Sequence, residues 1–299
     1  MIAIGFVIRR ARWLTAEADH SLLRATVNLF YPCLIADTII GNPALKNAGN
    51  LALPPLVGLG TCFLGFGLCW LGARAMRLSR GKEARTFVYS TGMYNYGYTA
   101  IPIIEAVFDK QTMGVLFTHN LGAEVSIWIG ASLILAAVSP RREWRKILNA
   151  PVIAIIICVV LNFCGARTWL PDFSLRASHS LGQCAVPLAL VLTGATYADF
   201  IAELHPRGGL HIATGACLLR NGILPLFFLA IAKWLPCSVE LKHVIVVQAA
   251  MPAAMMPIII AKHYNGDPKI ALQVVLFTSI AAFATIPFWI RAGLAFIGV

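Results

Sequence analysis

The chain has 299 residues, of which 59% are hydrophobic and 12% charged, against roughly 25% charged in an average soluble domain. A soluble core of this size cannot hide so much apolar surface, so the expected solvent is a lipid bilayer, and a soluble enzyme, a disordered chain, a coiled coil and a secreted disulfide scaffold are excluded. The net charge of +11 would suggest a nucleic-acid partner in a soluble protein; in a membrane protein it reports which connections face the cytoplasm.

Crossing about 30 Å of hydrocarbon takes about 20 apolar residues. Nine segments qualify in chain order: 22–40, 51–73, 87–108, 113–138, 147–164, 175–197, 210–234, 244–261 and 270–297. A tenth, 1–8, is a stub that rises about 12 Å as a helix and is too short to span. Its charges Arg9, Arg10 and Arg12 follow the apolar stretch, which is the reverse of a signal peptide. Counting the stub as span 1 gives an all-α integral membrane protein of ten transmembrane helices, the first truncated. The eight cysteines form no CxxC pair; Cys33, Cys62, Cys69, Cys158, Cys164, Cys184 and Cys217 lie in or beside apolar runs and read as small buried packing residues, with Cys237 in a polar connection.

The connections after spans 1, 3, 5, 7 and 9 hold 16 basic residues, against 6 on the opposite face. Among the 16 are Arg80, Arg207 and the run Arg141, Arg142, Arg145 and Lys146. This asymmetry puts that face in the cytoplasm and both termini outside, and makes the basic run a topology signal with no nucleic acid implied.

Pro32 and Pro187 are 155 residues apart, as are Pro102 and Pro257. The sequence Val115-Leu116-Phe117-Thr118 recurs as Val275-Leu276-Phe277-Thr278, each copy after a turn containing an aspartate, Asp109 or Asp267. Matched offsets suggest a duplicated unit: a first repeat over 1–138, a basic cytoplasmic connection at 139–146 and a second repeat over 147–299. Five spans is an odd number, so the halves are inverted relative to one another, as in many secondary transporters. The same offset leaves the first span about eight residues short, which is expected if translation starts upstream of Met1.

Helix-breaking residues fall mid-span at Asn95-Tyr96-Gly97-Tyr98-Thr99 with Pro102, and at Met251-Pro252-Ala253-Ala254-Met255 with Pro257. Interrupted helices in corresponding places of two inverted halves point to a substrate site. Half-helices starting near Ala100 and Ala254 would aim positive dipole ends at their crossing, a field suited to a carboxylate. Asn95, Tyr96, Tyr98 and Thr99 can add hydrogen bonds from side chains. Prolines that merely kink packed helices are the alternative.

Gln248-Ala249-Ala250-Met251-Pro252, then Pro257, then Ala261-Lys262-His263-Tyr264-Asn265 with Asp267-Pro268 resembles the ninth helix of the auxin efflux carrier family, which includes plant auxin carriers and bacterial organic-acid permeases. Asn95 with Gly97 and Pro102 is similar to that family's fourth helix; Leu148-Asn149-Ala150-Pro151 and Leu190-Val191-Leu192-Thr193-Gly194-Ala195 match its sixth and seventh. The resemblance implies a five-plus-five inverted repeat related to the bile-acid symporter fold, with a scaffold and a mobile domain. It also implies export or exchange of small organic anions by alternating access. By residue matching, Asn95, Pro102, Pro252 and Pro257 carry over as the crossing, and Ala253 stands where the plant members have a polar residue. The short connection over 139–146 resembles that of the bacterial permeases.

Ionisable residues within spans are functional suspects. Glu124 follows His119 and Asn120, and Glu124 and Asn120 share a helix face. Arg220, beside Asn221, is a strong cation deep in a span and is expected either to pair with an acid such as Glu124 or to charge the substrate vestibule. Glu105 is a candidate coupling carboxylate that could equally face water, and Asp37 is expected to be solvated near an outer end. His20, His205 and His263 fall in or near cytoplasmic connections. No HExxH, GxSxG, P-loop or GxGxxG occurs, so no metal, cofactor or catalytic residue is expected.

The expected function is therefore a secondary permease for small organic anions, dicarboxylates or auxin-like carboxylates, in the bacterial inner membrane. The expected substrate-binding residues are Asn95, Gly97, Tyr98, Pro102, Gln248, Pro252, Ala253 and Pro257, and the charge or coupling candidates are Asn120, Glu124, Arg220 and Glu105. The expected partners are the organic anion and the lipid bilayer, with a homodimer left open. A sodium-coupled symporter of larger organic acids, a membrane sensor on the same fold and an intramembrane enzyme are the alternatives; the last lacks a nucleophile and base.

Overall fold

The computed structural model describes residues 1–78, 81–135, 147–203, 209–264 and 266–298. Arg80, Arg141, Arg142, Arg145, Lys146, His205, Arg207 and Asn265, and with them the 139–146 connection, lie outside the described residues.

The apolar stub forms α1 (Ile2–Arg10). Thr15 caps α2 (Ala16–Ala25) by accepting the Ala18 amide at 3.2 Å. A π-helical turn, Thr26–Phe30, leads without a break into α3 (Tyr31–Ile39). A second π turn, Leu218–Ile223, joins α12 (Leu210–Cys217) to α13 (Leu224–Trp234). Each π turn ends two residues before a proline, Pro32 or Pro225, whose ring would press on the carbonyl four residues back, inside the turn. In the second case that carbonyl, of Asn221, accepts the Trp289 indole N–H at 2.6 Å.

Between these lie α4 (Gly49–Ala75), α5 (Lys82–Gly92), α6 (Ala100–Val107) and α7 (Lys110–Leu135). They are followed by α8 (Ala150–Phe163), the single turn α9 (Ala166–Trp169), α10 (Asp172–Gly182) and α11 (Ala185–Glu203). The chain ends with α14 (Val239–Ala250), α15 (Met256–His263) and α16 (Pro268–Ile297). Among the described residues four helical runs are long and apolar enough to cross a membrane: Gly49–Ala75, Asp172–Glu203, Leu210–Trp234 and Pro268–Ile297. Several shorter apolar helices accompany them.

The helices pack as two groups. A panel consists of α1, α2, α3, α8, α10 and α11; a core consists of α4 to α7 and α12 to α16. Small residues let helices approach where lipid supplies no hydrophobic drive between them. A Cβ at Gly122 of α7 would lie 1.8 Å from the Pro55 carbonyl oxygen of α4, so that helix pair closes only on glycine. In the panel a Cβ at Gly194 of α11 would lie 2.0 Å from the Ile2 carbonyl oxygen of α1. The stub therefore takes a close-packed place beside α11.

Panel and core are tied at one end of α3 and α8. Asn42 donates to the Lys110 carbonyl at 3.0 Å, Asn162 donates to the Asn42 carbonyl at 3.1 Å, and the Gly41 amide donates to Asn162 Oδ1 at 2.8 Å. Asp37, expected to be solvated near an outer end, belongs to this junction and is paired there: its Oδ2 lies 2.8 Å from Lys110 Nζ and 3.2 Å from His179 Nδ1. The cysteines also differ from expectation. Cys62, Cys69 and Cys158 are buried, but Cys33 and Cys217 are half-buried, and Cys164 and Cys184, which lie in the connections after α8 and α10, are exposed; Cys237, in the connection before α14 as expected, is half-buried.

Candidate functional site

The α5 helix stops at Gly92 and the chain resumes helix at Ala100; α14 stops at Ala250 and resumes at Met256. The two gaps lie against each other in antiparallel fashion, with Tyr94 bridged to Ala253. The Asn95 amide donates to the Pro252 carbonyl at 2.8 Å and the Ala254 amide to the Met93 carbonyl at 2.9 Å. Backbone without helical partners is costly in an apolar setting, and here each gap supplies the other's partners. The pairing explains a correction to the expected helix start. Ala253 and Ala254 are held extended against Met93 and Tyr94, so α15 begins at Met256, two residues later than Ala254.

Other groups of the gaps are held by side chains from the core. The Tyr96 carbonyl accepts from Asn120 Nδ2 at 3.2 Å and from Gln248 Nε2 at 3.4 Å. The Ala253 amide donates to Thr278 Oγ1 at 3.2 Å, so the second copy of the repeated Val-Leu-Phe-Thr sequence caps the second gap. Asn95 Nδ2 donates to Thr99 Oγ1 at 3.0 Å, bracing the turn that leads into α6.

A cavity of about 200 Å³ lies on the panel side of the crossing. Its walls include Asn95, Tyr96, Gly97 and Tyr98 from the first gap, Ala254, Met255 and Met256 from the second, Asn120 and Glu124 from α7, Tyr31 and Ile35 from α3, and Asn149 and Val152 from the start of α8. The N-terminal ends of α6 and α15 thus both abut the cavity, and the free amides of a helix's first turn carry partial positive charge. Glu124 is 8% exposed. Its Oε2 accepts from the Tyr96 hydroxyl at 2.5 Å and its Oε1 from Asn149 Nδ2 at 2.8 Å. Asn149 Oδ1 meanwhile accepts the Val152 amide at 3.1 Å, the cap of α8, which fixes the direction of its other end.

Of the residues expected at the site, Asn95, Gly97, Tyr98, Asn120 and Glu124 line this cavity. Pro252, Ala253, Pro257 and Gln248 are buried and shape the gaps from behind, and Pro102 sits within α6 beyond the lining. Glu105, read as either a coupling carboxylate or one that faces water, is an exposed residue of α6 outside the lining, in agreement with the second alternative.

Arg220 corrects both readings made of it. It is fully buried, outside the cavity lining, and among the described residues no carboxylate lies within salt-bridge distance of it. Its Nη2 donates instead to the Gln248 and Ala249 carbonyls at 3.2 and 3.3 Å, and its guanidinium lies 5.4 Å from the Tyr94 ring centre and 5.2 Å from that of Phe228. The negative end of α14 and two aromatic faces take the place of an acid. The sequence reading named Tyr96 only as a hydrogen-bonding residue of the break and Asn149 only within a family match. A tyrosine beside the glycine of a break, and an asparagine before an Ala-Pro helix start, were the available signals.

A family model described as a membrane transport protein matches residues 1–290. An uncharacterized transporter of Methanothermobacter thermautotrophicus is 24% identical over 293 residues, covering 97% of this chain and 94% of its own. One of Methanocaldococcus jannaschii is 22% identical over 300 residues, with the same coverages of 97% and 94%. Auxin efflux carrier component 8 of Arabidopsis thaliana is 28% identical over 183 residues, which is 59% of this chain and 45% of that protein. The packed, interrupted apolar helices agree with the family model and the two transporters that match over nearly the whole length: the chain is a multi-pass membrane protein of the membrane transport family to which the auxin efflux carriers belong.

Proposed function

We propose that this chain is a secondary carrier of small organic anions in the bacterial inner membrane, holding its substrate in the cavity at the crossing of the two interrupted helices. The observation that carries this reading is the meeting of two half-helix N-termini, those of α6 and α15, at a single cavity beside the mutually bonded gaps. Oriented backbone amides bind a carboxylate without a full charge having to be buried when the site is empty. Asn95 and Tyr98 would orient the substrate, Gly97 would leave it room, and Asn120 and Gln248 would keep the Tyr96 carbonyl occupied so that the gap stays open.

In this proposal the polypeptide crosses the membrane ten times, as an inverted pair of halves over 1–138 and 147–299, with both termini outside the cytoplasm. The core moves against the panel to expose the cavity to each face in turn. The Asn42–Lys110 bond crosses one end of that boundary, with Asn162 bracing Asn42 from within the panel, while the cavity extends toward the opposite end of α8, at Asn149. This is what an alternating-access carrier caught with one face sealed would present.

The test is counterflow in proteoliposomes with labelled malonate, malate and aromatic carboxylates, with and without Na⁺ and a pH gradient. Preloaded unlabelled acid is expected to drive uptake of the same labelled acid. Asn95→Ala is expected to reduce that uptake at least tenfold, and unchanged uptake in Asn95→Ala would place the site elsewhere. Uptake that requires Na⁺ would favour the sodium-coupled symporter.

A further inference from the structure

The cavity contains a carboxylate where an anion is to bind. Glu124 sits midway along α7 and contributes to the same wall as the two half-helix ends. The groups that face it are neutral hydrogen-bonding ones: the Tyr96 hydroxyl from the first gap, the Asn149 amide from α8, Tyr98 and Tyr31 across the cavity, Tyr89 from α5 and, on its own helix, Asn120 and Trp128. Among the described residues no lysine, arginine or histidine lines the cavity. His119 is buried behind Asn120, with Nδ1 3.4 Å from Asn120 Oδ1, and Arg220 is bound to carbonyls on the far side of the crossing. An ionised Glu124 therefore has hydrogen-bond donors but no counter-charge, and a carboxylate substrate in the same cavity would add a second uncompensated charge of the same sign.

The Glu124–Asn149 hydrogen bond also joins two bodies, since Glu124 belongs to the core and Asn149 to the panel. A hydrogen bond to an ionised carboxylate is about twice as strong as a neutral one. With Glu124 ionised, the core is held to the panel in the arrangement described. Protonation weakens that tie and removes the repulsion toward a bound anion at the same moment. The Tyr96 hydroxyl can follow the change, because it donates to an ionised carboxylate and can accept from a protonated one.

We propose, resting on the organic-anion reading above, that Glu124 is the proton site of the carrier. It takes a proton from water on the face to which the cavity is open when an organic anion enters, forming an O–H bond at Oε1 or Oε2. It returns that proton to water on the other face after the anion leaves, so one proton accompanies each substrate molecule in the same direction.

The experiment uses the full chain in liposomes that enclose a pH-sensitive dye, with labelled malonate or malate added outside. The expected result is internal acidification of about one proton per molecule of acid taken up, and accumulation driven by an acidic exterior. Glu124→Gln is expected to bring the ratio of protons to acid close to zero in whatever flux remains, and to abolish gradient-driven accumulation. Tyr96→Phe is expected to keep the one-to-one ratio while moving the pH at which uptake is half-maximal. If Glu124→Gln does not reach the membrane, the wild-type ratio together with the Tyr96→Phe pH profile decides.

Net uptake of acid into liposomes holding none, without internal acidification in the wild type, or a one-to-one ratio retained in Glu124→Gln, overturns the proton site and leaves the organic-anion reading standing. Uptake of labelled choline in place of any acid, lost in Glu124→Gln, would make the carboxylate a counter-ion for a cationic substrate and overturn both. A wild type that exchanges no acid overturns the organic-anion reading, and the proton site with it.

Discussion

Gly97 is a residue whose cost and use can be separated. Its backbone is not in the left-handed region, and a Cβ built on it meets no atom within 4 Å, yet it lines the cavity. Glycine here is a matter of space for a ligand more than of conformation. Gly97→Leu is expected to leave the melting temperature in detergent within about 2 °C of wild type, since substitutions that neither clash nor strand polar groups are near neutral. Its flux is expected to fall by about tenfold or more, because the added side chain occupies volume the substrate needs. A large drop in melting temperature would show that the position is needed by the fold instead. Neighbouring Asn95 is the opposite kind of residue: 3% exposed, its amide tied to Pro252 and its side chain to Thr99, it serves gap and cavity together.

At the level of elements, what holds an interrupted helix open is the satisfaction of its loose ends. Arg220 does this for α14, at whose end the Gln248 and Ala249 carbonyls accept from one guanidinium nitrogen. Arg220→Met keeps the bulk and removes the donor. A charged hydrogen bond contributes about 1.5–3 kcal/mol, and buried acceptors left unpaired add to the loss. Unfolding in detergent should therefore be easier by ~2–3 kcal/mol, with Arg220→Lys falling between the two. An unchanged unfolding midpoint combined with lost transport would mean that the guanidinium acts on the cargo and has no part in supporting the helix.

Where these helices break was legible in the sequence. Proline and glycine have local consequences, and Gly97, Pro102, Pro252 and Pro257 marked both gaps before any packing was known. The interior position of Glu124 was legible for the same reason, since a carboxylate in an apolar run is conspicuous by itself. The partners of the charged residues were not. Tyr96 and Asn149 meet Glu124 across separations of 28 and 25 residues, and Arg220 meets α14 across 28 and 29. Such contacts depend on how helices rotate and dock, which no residue pattern states. The two-residue shift in the start of α15 has the same origin, because the strand-like pairing of Ala253 and Ala254 exists only once the two gaps lie together.

For the whole molecule the decisive boundary is the one between panel and core, since alternating access as proposed requires it to open at each end in turn. At the sealed end the described residues of that boundary hold an ion pair, Asp37 with Lys110, supported by His179, and the uncharged Asn42–Lys110 hydrogen bond, with Asn162 bracing Asn42. The Lys110 side chain is 66% exposed and that of Asp37 15%, so the pair belongs with solvated bridges contributing about 0.2–1 kcal/mol. Lys110→Ala should then favour opening of this end by no more than about fivefold. The measurement is the labelling rate of Thr38→Cys, buried near that end of α3, by a membrane-impermeant maleimide, with the exposed Cys164 and Cys184 replaced by serine. A rise of up to about fivefold is expected, with Asp37→Asn moving the rate in the same direction. A much larger rise would make the ion pair the main lock on the sealed face. No rise would assign the closure to Asn42, whose bond to the Lys110 carbonyl Lys110→Ala leaves in place and which Asn162 braces from within the panel.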